Sequence, residues 1–147
     1  MNEKYRIYVY GGLIILGISL LLVIAVVIKG KPKQPELTVD TITGPVTVDD
    51  FTKTPVEQVA DTVIVARAAE FEIAYFEKEQ TFTVLLLTTP LSSARLAAET
   101  ALLEKLGVSK DEACRLKVSV MTIQSVDEQL AGKEFGLSFC SGAATIP

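Results

Sequence analysis

Glu70-Phe71-Glu72-Ile73-Ala74-Tyr75-Phe76-Glu77-Lys78-Glu79-Gln80-Thr81-Phe82-Thr83-Val84-Leu85-Leu86 holds a two-residue period on both sides of a polar tetrad. Phe71, Ile73 and Tyr75 alternate with Glu70, Glu72 and the small Ala74, and Phe82, Val84 and Leu86 repeat the pattern after Glu77–Gln80. Successive strand residues point to opposite faces, so this predicts a hairpin with one apolar face. Phe76 falls on the other face from Phe71 and Tyr75, which makes it the candidate interface residue. The second strand runs to about Thr88, and Pro90 ends it.

Downstream, Ser92 or Ser93 is the expected N-cap of a helix reaching Leu106, with Gly107 as its C′ glycine. Leu96, Leu103 and Leu106, with Ala98 and Leu102 alongside, are its expected packing stripe. Ser109-Lys110-Asp111-Glu112 has the form of a capping box opening a short helix that carries Cys114. Leu116, Val118, Val120 and Thr122 alternate as a strand. Ser125-Val126-Asp127-Glu128 repeats the capping-box pattern for a last turn or two ending at Gly132. Phe135–Cys140 is expected as a closing strand, and 141–147 as a tail that frays.

Upstream the pattern is mixed. Val56, Val59, Ala60 and Val63 recur at helical spacing, while Val63-Ile64-Val65 is β-branched. A helical turn or two leading into the sheet is the reading adopted. Residues 29–57, with Pro32, Pro35, Pro45 and Pro55, read as a linker, with short strands at Leu37–Thr41 or Val46–Val48 left open. The expected fold class is α+β: a small, largely antiparallel sheet with helices on one face, in the order β-β-α-α-β-α-β, over residues 58–140.

Ahead of this lies a different kind of segment. From Ile7 to Ile28 there is no charge, and the polar side chains are Tyr8, Tyr10 and Ser19. At ~1.5 Å per residue this run spans about 33 Å as a helix, against a hydrocarbon core of about 30 Å. Tyr5, Tyr8 and Tyr10 at one end, and Lys29, Lys31 and Lys33 at the other, suit the two interfaces. The expectation is an N-terminal transmembrane helix behind a tail of residues 1–6. Its exit, Val27-Ile28-Lys29-Gly30, lacks the small-residue cleavage pattern of a signal peptide, so the anchor is expected to stay attached. Gly11, Gly12 and Gly17 miss the GxxxG spacing of a dimerisation face.

Charge separates the two parts. Nine of the 14 basic residues and 17 of the 18 acidic ones lie beyond Gln34, a net of −8. Such a domain repels nucleic acid and anionic headgroups. Basic residues flank the apolar run almost equally, so the positive-inside count leaves orientation nearly tied. The cysteines tip it: Cys114 and Cys140 read as one disulfide, with two buried thiols as the alternative. A disulfide places the domain outside the cytoplasm.

The chain has no histidine, and with it go the usual general base, metal ligand and pH sensor. Two cysteines without CxxC make a poor zinc site, and no glycine-rich phosphate loop occurs. Gly136-Leu137-Ser138-Phe139-Cys140 lacks the second glycine of a nucleophile elbow and any histidine partner. Glu70, Glu72, Glu77 and Glu79 are dispersed by strand alternation and read as a solvated edge rather than a calcium loop. No catalytic, cofactor-binding or metal-binding residue is expected, and no small-molecule ligand.

Phe71-Glu72-Ile73-Ala74-Tyr75-Phe76, the Ala98–Gly107 helix, Val108-Ser109, Asp111-Glu112-Ala113-Cys114-Arg115-Leu116 and Gly136-Leu137-Ser138-Phe139-Cys140 together resemble a family of uncharacterised single-pass membrane proteins of small-genome uncultured bacteria. The resemblance spans about residues 60–140. It implies a bacterial cytoplasmic-membrane protein with an exported domain, both cysteines belonging to the recurring pattern, and it supplies no catalytic residue. The expected function is a membrane-anchored, extracytoplasmic, non-enzymatic interaction or envelope-assembly module. It would sit in the bilayer through residues 7–28 and bind another envelope protein. A bitopic component of a pilus or secretion machine is the alternative, and a hydrolase using serine or carboxylates a third reading.

Overall fold

The computed structural model describes residues 35–41 and 43–146. The tail of residues 1–6, the apolar run 7–28 and residues 29–34 lie outside the described residues. Among the described residues no helix is long and apolar enough to cross a membrane.

Two strands come first, β1 (Glu36–Val39) and β2 (Val46–Asp49), paired antiparallel as a separate two-stranded sheet. A 3-10 turn at Phe51–Lys53 follows. Then come β3 (Glu57–Val59), β4 (Thr62–Arg67), β5 (Phe71–Phe76), β6 (Thr81–Leu86), α1 (Leu91–Leu106), α2 (Lys110–Ala113) and β7 (Lys117–Thr122). The larger sheet has the order β3-β4-β5-β6-β7. Its first four strands form an antiparallel meander, and β7 lies parallel to β6 after the crossover through α1 and α2.

The expected architecture is therefore corrected: the described domain is sheet-rich, with seven strands and two helices. The stretch expected to be helical around Val56–Ala69 is β3 and β4, because Val63-Ile64-Val65 packs as a pleated run, with a bulge between Ile64 and Ala66. The stretch read as a linker supplies β1, β2 and the buried Val39, Val46, Val48 and Phe51. Pro35 and Pro45 stand just before these strands rather than inside them, which is where proline is tolerated. The closing strand expected at Phe135–Cys140 and the helix expected after Ser125 are turns and irregular backbone. Asp127, not Ser125, caps that turn, accepting the N–H groups of Gln129 and Leu130. Residues 141–146 are fastened rather than frayed: Ala144 N–H donates to the Phe135 carbonyl, and Ile146 is buried.

The hairpin β5–β6 pairs Phe71 with Leu86, Ile73 with Val84 and Tyr75 with Phe82, as the period of two requires. These six share one face, and the helix and the 3-10 turn cover it. Phe51 meets Tyr75 and Phe82 edge-on, with ring centroids 5.0 and 5.5 Å apart.

Helix α1 has Pro90 as N-cap, two residues before Ser92 and three before Ser93, and ends where expected at Gly107, whose φ of 64° is left-handed. Its buried stripe is Leu91, Ala94, Arg95, Ala98, Glu99, Leu102 and Leu106. Leu96 is 65% exposed and does not belong to it. At ~100° per residue Leu96 sits about 120° around the helix from Leu102, outside the covered arc. The capping box at α2 forms as the spacing predicts: Ser109 N–H and Oγ donate to the Glu112 carboxylate, and Glu112 N–H donates to Ser109 Oγ.

Candidate functional site

The sheet has a second face. Directly opposed residues share a side, so the register places Val59, Thr62, Phe76, Thr81 and Lys117 in one row across it. Glu57, Ile64, Ala74, Thr83 and Ser119 form the next row, and Arg67, Glu72, Leu85 and Met121 the third. Ile64 and Ala74 are enclosed by their neighbours yet stand apart from the core cluster, as their position on this side requires. Phe76 is 37% exposed and Val59 61% exposed. The elements that bury Tyr75 and Phe82 lie across the sheet from both.

Charge on this face is balanced. Arg67 Nε donates to Glu72 at 2.5 Å, and Arg67 Nη1 donates to Glu57 at 3.1 Å. The two carboxylates, Glu72 first, hold the guanidinium pKa above its ordinary value. With Lys117 added, the face offers apolar and hydroxyl groups with no net negative charge, in a domain of net charge −8. Phe76 thus sits where its strand parity placed it, on the centre strand and on the sheet face away from α1.

A buried polar constellation lies elsewhere, and sequence reading missed it. Arg95 and Glu99 are 5% and 3% exposed on the inner side of α1. Arg95 Nη1 donates to the Ala144 carbonyl at 2.9 Å, and Nη2 donates to the carbonyls of Phe135 and Gly136 at 3.0 and 2.7 Å. Glu99 accepts both the backbone N–H and the hydroxyl of Ser138, each at 2.5 Å. Arg95 Nε lies 3.2 Å from Glu99 Oε1 but makes no hydrogen bond there, so this contact is Coulombic. The signal available in the sequence was the Arg95/Glu99 spacing of four within an otherwise apolar stripe. Ser138 is thereby tied into the fold.

Cys114 and Cys140 form a disulfide, with Cα atoms 5.5 Å apart. The bond joins the C-cap of α2 to the turn after Leu137. Neighbouring Arg115 reaches the other way, donating to the carbonyls of Gly44 and Pro45 at 3.3 Å. Among the described residues no group of three or more His, Cys, Asp or Glu side chains is placed to hold a metal ion. Comparison with protein-family models, with curated proteins and with solved structures finds no match to this chain.

Proposed function

We propose that residues 35–147 form a non-enzymatic interaction module of an extracytoplasmic, membrane-attached protein, contacting another envelope protein through the open sheet face around Phe76. The observation that carries this is the asymmetry of the sheet. One face is closed by α1 and Phe51, whereas the other leaves Phe76 and Val59 in solvent. An exposed apolar surface ringed by balanced charge is the usual form of a protein contact site.

The Cys114–Cys140 bond supports an oxidising compartment. Attachment to the bilayer is read from the uncharged run of residues 7–28.

The test is a photo-crosslinking amino acid placed at position 76 of the full chain in its native cells, with position 96 as the exposed control. A discrete adduct from 76 and none from 96 supports the reading. Adducts from 96 alone, or from neither, retire the sheet face as the contact surface.

A further inference from the structure

Among the described residues, the outer edge of the large sheet is only half covered. Backbone groups of alternate strand residues point to the same edge. On β7, Val120 and Thr122 turn their carbonyls outward, accepting the N–H groups of Phe135 and Gly132 at 2.8 and 3.3 Å. Val118, two residues earlier, must turn its N–H and carbonyl to that same edge. No backbone or side-chain group of the described residues meets them there. The chain that covers Thr122 and then Val120 turns away after Phe135, and no other described segment covers Val118.

Two clefts lie along this gap. One, of 340 Å³, runs under the Cys114–Cys140 bond and is lined by Leu116, Val118, Phe135 and Leu137. The other, of 480 Å³, is lined by Thr43, Arg115, Lys117, Ser119 and Glu134. Both take Cys114, Leu116, Val118 and Glu134 as walls, so they meet along the bare edge. Val118, the core-directed residue of this edge, lines both, and Lys117 and Ser119, from the open sheet face, line the second alone. This is the geometry that strand addition needs, since an added strand sends alternate side chains to opposite faces.

We infer that the Lys117–Ser119 edge of β7 receives an extended segment of a partner protein as an added strand. Val118 N–H and C=O supply the backbone pairing. An apolar side chain enters the cleft under the disulfide, and a carboxylate on the next residue faces Arg115 and Lys117. Charge selects this partner. The second cleft gathers two cations against the single carboxylate of Glu134, in a domain that is otherwise strongly acidic. The opposite edge of the sheet is poorly suited, because β3 is three residues long and guarded by Pro55 and Glu57. The inference rests on the reading of this chain as an interaction module, and it adds a second surface that does not involve Phe76.

The experiment is amide hydrogen exchange by NMR on the full chain in detergent micelles, with and without a blocked hexapeptide of alternating valine and glutamate. Ser119 N–H, which points into the sheet, is the internal reference. The expected result is protection of Val118 N–H by about tenfold or more on adding millimolar peptide, with Ser119 unchanged. Lys117→Glu should abolish most of that protection without altering the reference. Phe76→Ser should leave it intact, which separates failure of this inference from failure of the sheet-face reading. Unchanged exchange at Val118 overturns the inference. So does protection that rises with protein concentration alone, since a second copy then occupies the edge. Equal protection by an alternating valine–lysine peptide overturns the assigned partner chemistry.

Discussion

The carboxylate of Glu99 accepts both the backbone N–H and the hydroxyl of Ser138, a residue 39 positions further along the chain. Together with the three carbonyls held by Arg95, this makes one helical turn the anchor for the whole irregular C-terminal segment. Removing one partner of a buried ion pair leaves an uncompensated charge, which costs about 3–5 kcal/mol. Glu99→Ala and Arg95→Ala are each expected to lower stability by that order in urea unfolding. Arg95→Lys should rescue little, because an ammonium cannot fork across three carbonyls.

Gly107 is constrained twice. Its φ of 64° disfavours a side chain, and a Cβ there would meet the Asp49 carboxylate at 2.5 Å. Gly107→Ala is expected to cost about 1–2 kcal/mol, more than the usual helix-end penalty. Adding Asp49→Ala should recover the steric part and not the conformational part. Full additivity of the two substitutions in a double-mutant cycle would show that the residues do not interact.

Loss of the disulfide by Cys114→Ser with Cys140→Ser opens a loop with a sequence separation of 26. The chain-entropy model gives about 3 kcal/mol for such a loop. The double variant should still fold, because Arg95 and Glu99 hold the segment independently. Chemical-shift dispersion of the Phe135 and Ser138 amides would report this directly, and its collapse would show that the covalent bond is indispensable.

The capping box titrates. Hydrogen bonds from the Ser109 side chain and backbone, helped by Arg115, hold the Glu112 carboxyl below its ordinary value of 4.5. A depressed folded-state value means the contribution is present above pH 4.5 and is lost as pH falls through the lower, folded value. Glu112→Gln should therefore remove a pH dependence of stability confined to that acidic window. Identical pH profiles for the variant and the parent chain would contradict this.

Phe76 and Phe82 belong to one hairpin and differ only in parity. Phe82→Ala is expected to cost about 3–5 kcal/mol, because its ring fills the core beside Tyr75 and Phe51. Phe76→Ser should change stability by no more than about 0.5 kcal/mol. A large loss from Phe76→Ser would mean that this face is already packed against something.

The sequence by itself determined the local elements whose pattern is dictated by local physics. The β5–β6 hairpin, the Gly107 terminus, the Ser109 capping box and β7 each rest on alternation, a left-handed glycine or a cap at fixed spacing. The parity that turns Phe76 away from Phe82 was legible for the same reason. Tertiary structure alone decided the rest. Val56–Ala69 balanced helical spacing against β-branching, and only pairing with β5 resolved it as strand. The proline-spaced stretch before it is short of local signal, and it becomes β1 and β2 because Val39, Val46 and Val48 join the core cluster, with β2 against α1. Phe135–Cys140 reads as a strand, yet Arg95 and Glu99 take its backbone groups, which leaves no ladder to form. Drawing Gly136 and Ser138 toward α1 also carries the chain away from the edge at Val118.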